Sequence, residues 1–245
     1  MKRTAYVSAV LAALSVQPAA VIAADNTCHG YGQGTAVDDR NRPCGAVSFT
    51  EQYSGMGACA LTSDENRIIL TFDQGYENGY TSKILDTLKE KNVQAVFFLT
   101  GDYARREPEL IKRMISEGHI LGNHSMNHHS MPSLSQDGVR DEIMSLHDYV
   151  LNNYGYEMQY FRPPCGEYSE QTLDITQRCG YRTILWSYAY VDWKQDSQPD
   201  PAASLEKLTD SAHGGEILLL HSVSATNAGI LGDLIDSLRS KGFTV

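Results

Sequence analysis

Five apolar, strand-like runs in this chain end on side chains capable of acid–base or metal chemistry. Arg67-Ile-Ile-Leu-Thr-Phe ends on Asp73, and His119-Ile-Leu-Gly-Asn ends on His124, with His128 four residues later. Met158-Gln-Tyr-Phe ends on Arg162, Thr183-Ile-Leu-Trp-Ser-Tyr-Ala-Tyr-Val on Asp192, and Glu216-Ile-Leu-Leu-Leu on His221. When strands alternate with helices, the sheet is parallel and its site lies at the strands' carboxyl ends. Such a sheet would bring Asp73, His124, His128, Arg162, Asp192 and His221 around one mouth.

Each residue also has a plainer reading. His124 and His128, at i and i+4, would share a helix face and could hold one ion through imidazole nitrogens. A bare H-x-x-x-H is more often two surface histidines on a polar loop; its place after a strand end favours the ligand reading. An Asp at the start of a turn is often only a helix N-cap. The helix after Asp73 begins several residues later, which weakens that reading. A lone histidine after a buried strand, such as His221, is usually a satisfied core residue, and only its company argues otherwise. His119, His129 and His147 are read as structural or surface residues.

The elements that must position these groups can be read from periodicity. Helices are expected over 78–91, 108–117, 136–153, 169–179, 202–212 and 225–240, with strand 93–100 of the continuously apolar kind that is buried on both faces. A final strand starts at Gly242. Strand and helix alternate about seven times, so the expected fold is α/β, a parallel sheet of the (β/α) barrel or doubly wound type. Residues 25–63, with Gly30, Gly32, Gly34, Pro43, Gly45, Gly55 and Gly57, show no sustained periodicity and are expected to be an irregular arm before the domain at 64–245.

Composition bounds the rest. The 245 residues carry a formal net charge of −10, which argues against nucleic acid or an anionic membrane surface as the main partner. Lys2 and Arg3, an apolar stretch from Ala5 to Leu14, and the small residues ending at Ala23 and Ala24 have the form of a secretory signal over 1–24. The expectation is export to the cell envelope or beyond, a retained N-terminal anchor being the alternative. Export permits disulfides. Of the five cysteines, Cys165 and Cys179 bracket a predicted helix and should stand about 15 Å apart by helical rise. Any disulfide is therefore expected among Cys28, Cys44 and Cys59, with Cys165 free.

Thr71-Phe-Asp73-Gln74-Gly75, His124-Ser-Met-Asn-His128, Arg162-Pro163-Pro164-Cys165-Gly166, Asp192-Trp193 and Leu219-Leu220-His221 follow the order of the five motifs of the NodB-homology polysaccharide deacetylases, carbohydrate esterase family 4. The resemblance covers about Arg67 to Val245. Gly75-Tyr-Glu-Asn-Gly-Tyr-Thr81, Val191-Asp-Trp-Lys194 and His221-Ser-Val-Ser-x-x-Asn-Ala228 further resemble the muramic-acid de-N-acetylases that form muramic δ-lactam in peptidoglycan.

The resemblance implies a distorted (β/α) barrel of about seven strands and a divalent ion, zinc in the first instance, held by His124, His128 and the residue at 74. It implies Asp73 as general base, oriented and kept ionised by Arg162, and His221 as general acid. Asp192 would orient His221 or else share Arg162. The Cys165 N–H would meet the oxyanion. Trp193, Cys165, Gly166, Pro164, Tyr76 and Leu219 would line the substrate, although core packing competes for Trp193. Two positions depart from the pattern. Gln74 stands where the family has a second Asp and the subfamily Asn, so metal should be held more weakly. Cys165 stands where Tyr or Arg is common. The implied partner is peptidoglycan glycan or muropeptide, acted on by a monomer. N-acetylglucosamine polymers, chitin oligomers or a xylan ester are alternative substrates, and an inactive carbohydrate-binding barrel is the non-enzymatic alternative.

Overall fold

The computed structural model describes residues 24–245; the signal-like segment lies almost wholly outside them. Its elements, in chain order, are β1 (His29–Gly30), α1 (Cys44–Tyr53), β2 (Ala58–Cys59), β3 (Ile68–Gln74), α2 (Thr81–Glu90), β4 (Val96–Leu99), α3 (Gly101–Arg106), α4 (Pro108–Ser116), β5 (Ile120–Asn123), α5 (Gln136–Tyr154), β6 (Tyr160–Phe161), β7 (Glu167–Tyr168), α6 (Glu170–Arg178), β8 (Arg182–Ile184), β9 (Tyr188–Ala189), α7 (Pro201–Asp210), β10 (Glu216–His221) and α8 (Ala225–Ser240). Eight strands form one sheet in the order β2-β8-β6-β5-β4-β3-β10-β9, and every pairing in it is parallel. β4 is buried at all four residues, as a strand covered on both faces must be.

The single apolar run ending on Asp192 is not one strand. β8 pairs at one end of the sheet and β9 at the other. Leu185 N–H donates to Cys59 O (2.9 Å), and two residues later Ser187 N–H donates to Ile217 O (2.9 Å). The chain thus bends across the gap and joins the two edges, curling the sheet toward a barrel. The expected last strand is reduced to one bridge, Thr244 beside Arg67.

The helices lie where periodicity puts them, with local reasons for their starts. Ser135, Asp200 and Ser224 each accept the N–H three residues ahead, and Ser169 and Thr172 form a reciprocal capping box. α3 was not foreseen: it is a short helix, capped by Thr100, in what read as a loop before Pro108.

The expectation of an irregular arm over 25–63 needs correction. The segment holds α1, supplies β2 as an edge strand of the main sheet, and pairs β1 with β7. Ala46, Phe49, Tyr53, Ala58, Ala60 and Leu61 bury a second core with Leu173 and Leu185. Its apolar residues are too few for the pattern to stand out locally, and they find partners only across the chain. All five cysteines are free thiols in this structure, so no pair joins Cys28, Cys44 and Cys59.

One close approach carries weight for the site. A Cβ on Gly122 in β5 would lie 2.4 Å from the Phe98 ring, and that ring stacks at 4.1 Å under the Arg162 guanidinium. Gly122→Ala should therefore destabilise the fold by about 1–3 kcal/mol through overpacking. Urea unfolding of the variant beside the parent checks this; an unchanged midpoint would show that the β4–β5 seam has room to spare.

Candidate active site

The five strand ends do converge. Asp73 lies directly opposite His221 in the β3–β10 register. His124 follows β5, Arg162 follows β6, and Asp192 follows β9 after two intervening residues. They bound a cavity of about 1050 Å³ whose wall includes Asp73, His124, His128 and His221, together with the expected substrate contacts Tyr76, Cys165, Gly166, Trp193 and Leu219. Pro164 is buried and does not line the cavity, whereas Pro163 does.

Asp73 and Arg162 form a buried ion pair. Arg162 has no exposed surface. Its Nη1 donates to Asp73 Oδ1 (2.8 Å) and Thr71 Oγ1 (2.9 Å), its Nε to Ile184 O (3.1 Å) and its Nη2 to Leu185 O (3.3 Å). Burial by itself would raise the Asp73 pKa. Arg162, with help from His124 and His221, outweighs it and holds the carboxyl below the usual carboxylate range. Asp73 is thus an ionised carboxylate facing the cavity.

Asp192 and His221 form the second pair. Asp192 Oδ1 accepts from His221 Nδ1 (2.7 Å), and Oδ2 accepts from the His221 backbone N–H (2.8 Å). Asp192 is therefore the partner of His221 and not of Arg162. Burial works against the His221 imidazolium, but Asp192 more than offsets it and the pKa lies above the ordinary 6.5. With its Nδ1 proton on Asp192, His221 can deliver a proton only from Nε2. A third residue, to which sequence reasoning gave no role, completes this group. Asn227, at 2% exposure, donates from Nδ2 to Asp192 Oδ2 (2.6 Å) and to His221 O (3.2 Å), and its Oδ1 accepts from Tyr190 OH. The only signal was its place in the first turn of α8, within the His221-to-Ala228 stretch.

The His124/His128 pair is not on a helix. Residues 124–130 form an irregular loop in which Ser125 and His128 take left-handed backbone, φ 67° and 60°. Those two reversals swing the second imidazole back, so that the ring centroids lie 4.9 Å apart. Glu142 on α5 holds the loop, accepting from Asn127 N (2.8 Å) and Nδ2 (2.7 Å). His124 Nδ1 donates to Arg162 O (2.7 Å), which leaves the Nε2 lone pair free, 3.5 Å from Asp73 Oδ2. Burial pushes the His124 pKa down to about 4 and also lowers that of His128. Both imidazoles are neutral near pH 7, as ligands must be.

Gln74 does not stand on the cavity wall. Successive strand residues face opposite ways, and the Gln74 amide turns into the β3–β10 seam, where Nε2 donates to Ser222 Oγ. Its buried Oε1 has no partner. Among the described residues, no group of three or more His, Cys, Asp or Glu is placed to share a metal ion.

Residues 60–184 match the polysaccharide deacetylase family model. The match stops short of Asp192 and His221. The solved structure of Bacillus subtilis PdaA, a family 4 carbohydrate esterase, superposes with a TM-score of 0.84 at 40% identity, covering 90% of this chain and 94% of that one. The chain belongs to the polysaccharide deacetylase family, carbohydrate esterase family 4, and is a hydrolase of that class. In sequence it is 45% identical over 181 residues to the peptidoglycan-N-acetylmuramic acid deacetylase PdaA of B. subtilis, covering 74% of this chain and 69% of the relative. A Bacillus cereus peptidoglycan-N-acetylglucosamine deacetylase is 32% identical over 205 residues, covering 80% and 70%. A family 4 carbohydrate esterase structure from Bacillus anthracis superposes with a TM-score of 0.75 at 38% identity, covering 91% and 95%.

Replacing Asp192 by Asn should lower the His221 pKa, because Asp192 supplies the largest opposition to burial and only the Asp73 charge would remain against it. NMR titration of the imidazole reads the sign directly. The pair also stabilises the fold most below pH 6.5, and that contribution fades as pH rises through the raised folded pKa. Asp192→Asn should therefore cost stability mainly on the acid side. A His221 pKa that stays put would remove Asp192 as its cause.

Proposed function

We propose that this chain removes the N-acetyl group from N-acetylmuramic acid residues of peptidoglycan outside the cytoplasm, to which residues 1–24 would direct it. The observation that carries the reading is the opposition of two differently tuned groups across one cavity: a carboxylate that Arg162 biases toward its ionised form and an imidazole that Asp192 biases toward its protonated form. Pairs of titratable groups pushed in opposite directions are the mark of an acid and a base. The muramic substrate is favoured over N-acetylglucosamine by the higher similarity to the muramic acid deacetylase.

A divalent ion is implied by the family resemblance, and the residues fit one. His124 and His128 offer neutral imidazoles whose ring centroids lie 4.9 Å apart, and the free His124 Nε2 lies 3.5 Å from the Asp73 carboxylate. When bound, the ion would polarise the acetamide carbonyl and make water more acidic. The chain's own residues do the rest. Asp73 takes a proton from the attacking water, and Arg162 keeps it ionised and aimed. The Cys165 backbone N–H, on a left-handed turn at the cavity wall, meets the oxyanion of the tetrahedral intermediate. His221 Nε2 protonates the departing amine, without which the intermediate collapses back to amide. Trp193, half exposed with its ring 5.4 Å from that of His221, and Tyr76 offer flat apolar faces for sugar rings.

Asp73→Asn and His221→Ala should each lower deacetylation by at least about 10²-fold while the proteins unfold at temperatures near the parent's. Acetate release and mass spectrometry of muropeptides read both the loss and the sugar concerned. Deacetylated N-acetylglucosamine with intact muramic residues would overturn the substrate. Full activity in folded Asp73→Asn would overturn the base.

Calorimetric titration of metal-free protein should show zinc binding that His124→Ala abolishes and Gln74→Asp leaves nearly unchanged, since the side chain at 74 turns into the β3–β10 seam beside Ser222. Markedly stronger binding by Gln74→Asp would mean that position 74 leaves its seam with Ser222 and joins the two histidines at the ion.

A further inference from the structure

The leader, residues 25–63, touches the catalytic cavity through three consecutive residues, Tyr31, Gly32 and Gln33. β1 pairs antiparallel with β7, His29 opposite Tyr168 and Gly30 opposite Glu167. That pairing carries the Tyr31 N–H to the Gly166 carbonyl at 2.9 Å. Gly166 closes the turn at Pro164–Gly166, in which Cys165 and Gly166 are both left-handed, φ 58° and 66°. A non-glycine residue persists in that region only when its surroundings over-determine it. Within the turn itself the closing bond is a longer one, Gly166 N–H to Pro163 O at 3.2 Å. The leader supplies a second constraint.

Two of the three, Tyr31 and Gln33, lock Trp186. Tyr31 OH donates to Trp186 O (2.5 Å), and the two rings meet edge-on at 5.2 Å. Gln33 uses both ends of its amide: Oε1 accepts from Trp186 Nε1 (2.9 Å), and Nε2 donates to Ala189 O (2.9 Å). The indole so fixed is pressed against the turn, since a Cβ on Gly166 would lie 2.9 Å from its ring. Its ring also lies 5.9 Å from the Arg162 guanidinium. Strap, indole, turn and ion pair form one packed unit.

We propose that Tyr31 and Gln33 are positioning residues of the deacetylase, which clamp Trp186 and the Gly166 carbonyl so that the Cys165 N–H points at the reacting carbonyl. The inference rests on the reading above that this N–H meets the oxyanion. It extends the catalytic unit to Tyr31 and Gln33, which precede the residues matched by the family model.

The test uses the mature chain carrying Tyr31→Phe with Gln33→Leu, which removes three side-chain hydrogen bonds but keeps size. A misplacement of about 1 Å can cost on the order of 10²-fold in rate. The expected result is a kcat lowered about tenfold or more, a KM changed little, and a melting temperature near the parent's. Backbone amide exchange over residues 163–168 should quicken at the same time. Arg40→Ala, in an exposed ion pair with Glu65 elsewhere on the leader, should leave all four unchanged.

An unaltered kcat in the folded double variant overturns the proposal, and so does unaltered exchange over 163–168. A kcat that falls only in step with the folded fraction overturns it too. If the double variant does not fold, Tyr31→Phe alone, which loses one hydroxyl, is judged by the same measures. Each variant is compared with the parent on muramic and on N-acetylglucosamine substrates. A parent active only on the latter sinks the muramic reading and leaves the strap to be judged on the sugar it accepts.

Discussion

The buried Arg162–Asp73 pair is the constraint around which the rest of the site is arranged. A guanidinium with no exposed surface survives only if its donors are used and its charge is met. Arg162 reaches Asp73 and Thr71 on β3 and the carbonyls of Ile184 and Leu185, where β8 bends toward the barrel's other edge. Its carbonyl takes the Nδ1 proton of His124. One residue thus orients the proposed base, sets the tautomer of a proposed ligand and anchors the barrel's closing bend. Breaking such a pair by removing one partner costs about 3–5 kcal/mol. Structural and chemical loss at Arg162 are hard to separate for that reason.

Around this pair the protein assembles a second dyad of opposite bias. Asp73 is pulled toward the ionised form and His221 toward the protonated form, although Asp73 is buried, His221 is partly so, and burial disfavours charge in each. The difference lies in the partners. Asp73 faces a fixed cation, and His221 faces a carboxylate that also accepts from Asn227 and from the His221 backbone. The two groups sit on adjacent parallel strands in direct register, so the sheet's hydrogen bonds set their separation. Loops need supply only the histidine pair, the Cys165 turn and Asp192. Each of these is tethered from behind, by Glu142, by the leader and Trp186, and by Asn227 respectively.

Much of this was legible in the sequence, because strand ends and helix starts are local matters. Apolar runs ending on Asp73, His124, Arg162 and His221 mark strand ends directly, and the amphipathic stretches and caps place α2 and α4 to α8. The run ending on Asp192 misled about shape but not about place, since Asp192 still arrives at the mouth. Residue types also carried the expectation of paired acid and base, and the family resemblance gave each a role.

Tertiary structure alone decided the rest, and each time the reason is a partner distant in sequence. The histidine pair sits on a loop with two left-handed residues because Glu142, on α5, holds that loop. Gln74 leaves the cavity for Ser222 because neighbouring strand residues face opposite ways and β10 happens to lie beside β3. Asn227 gains its part from Asp192 and Tyr190, which lie some thirty-five residues earlier. The leader looks irregular because its apolar residues have no period of their own, and they become a core only when α6 and the barrel's bend present Leu173 and Leu185. A pattern along the chain reports which groups one element can bear. Which of them meet depends on how strands are ordered in the sheet, and local spacing carries no record of that order.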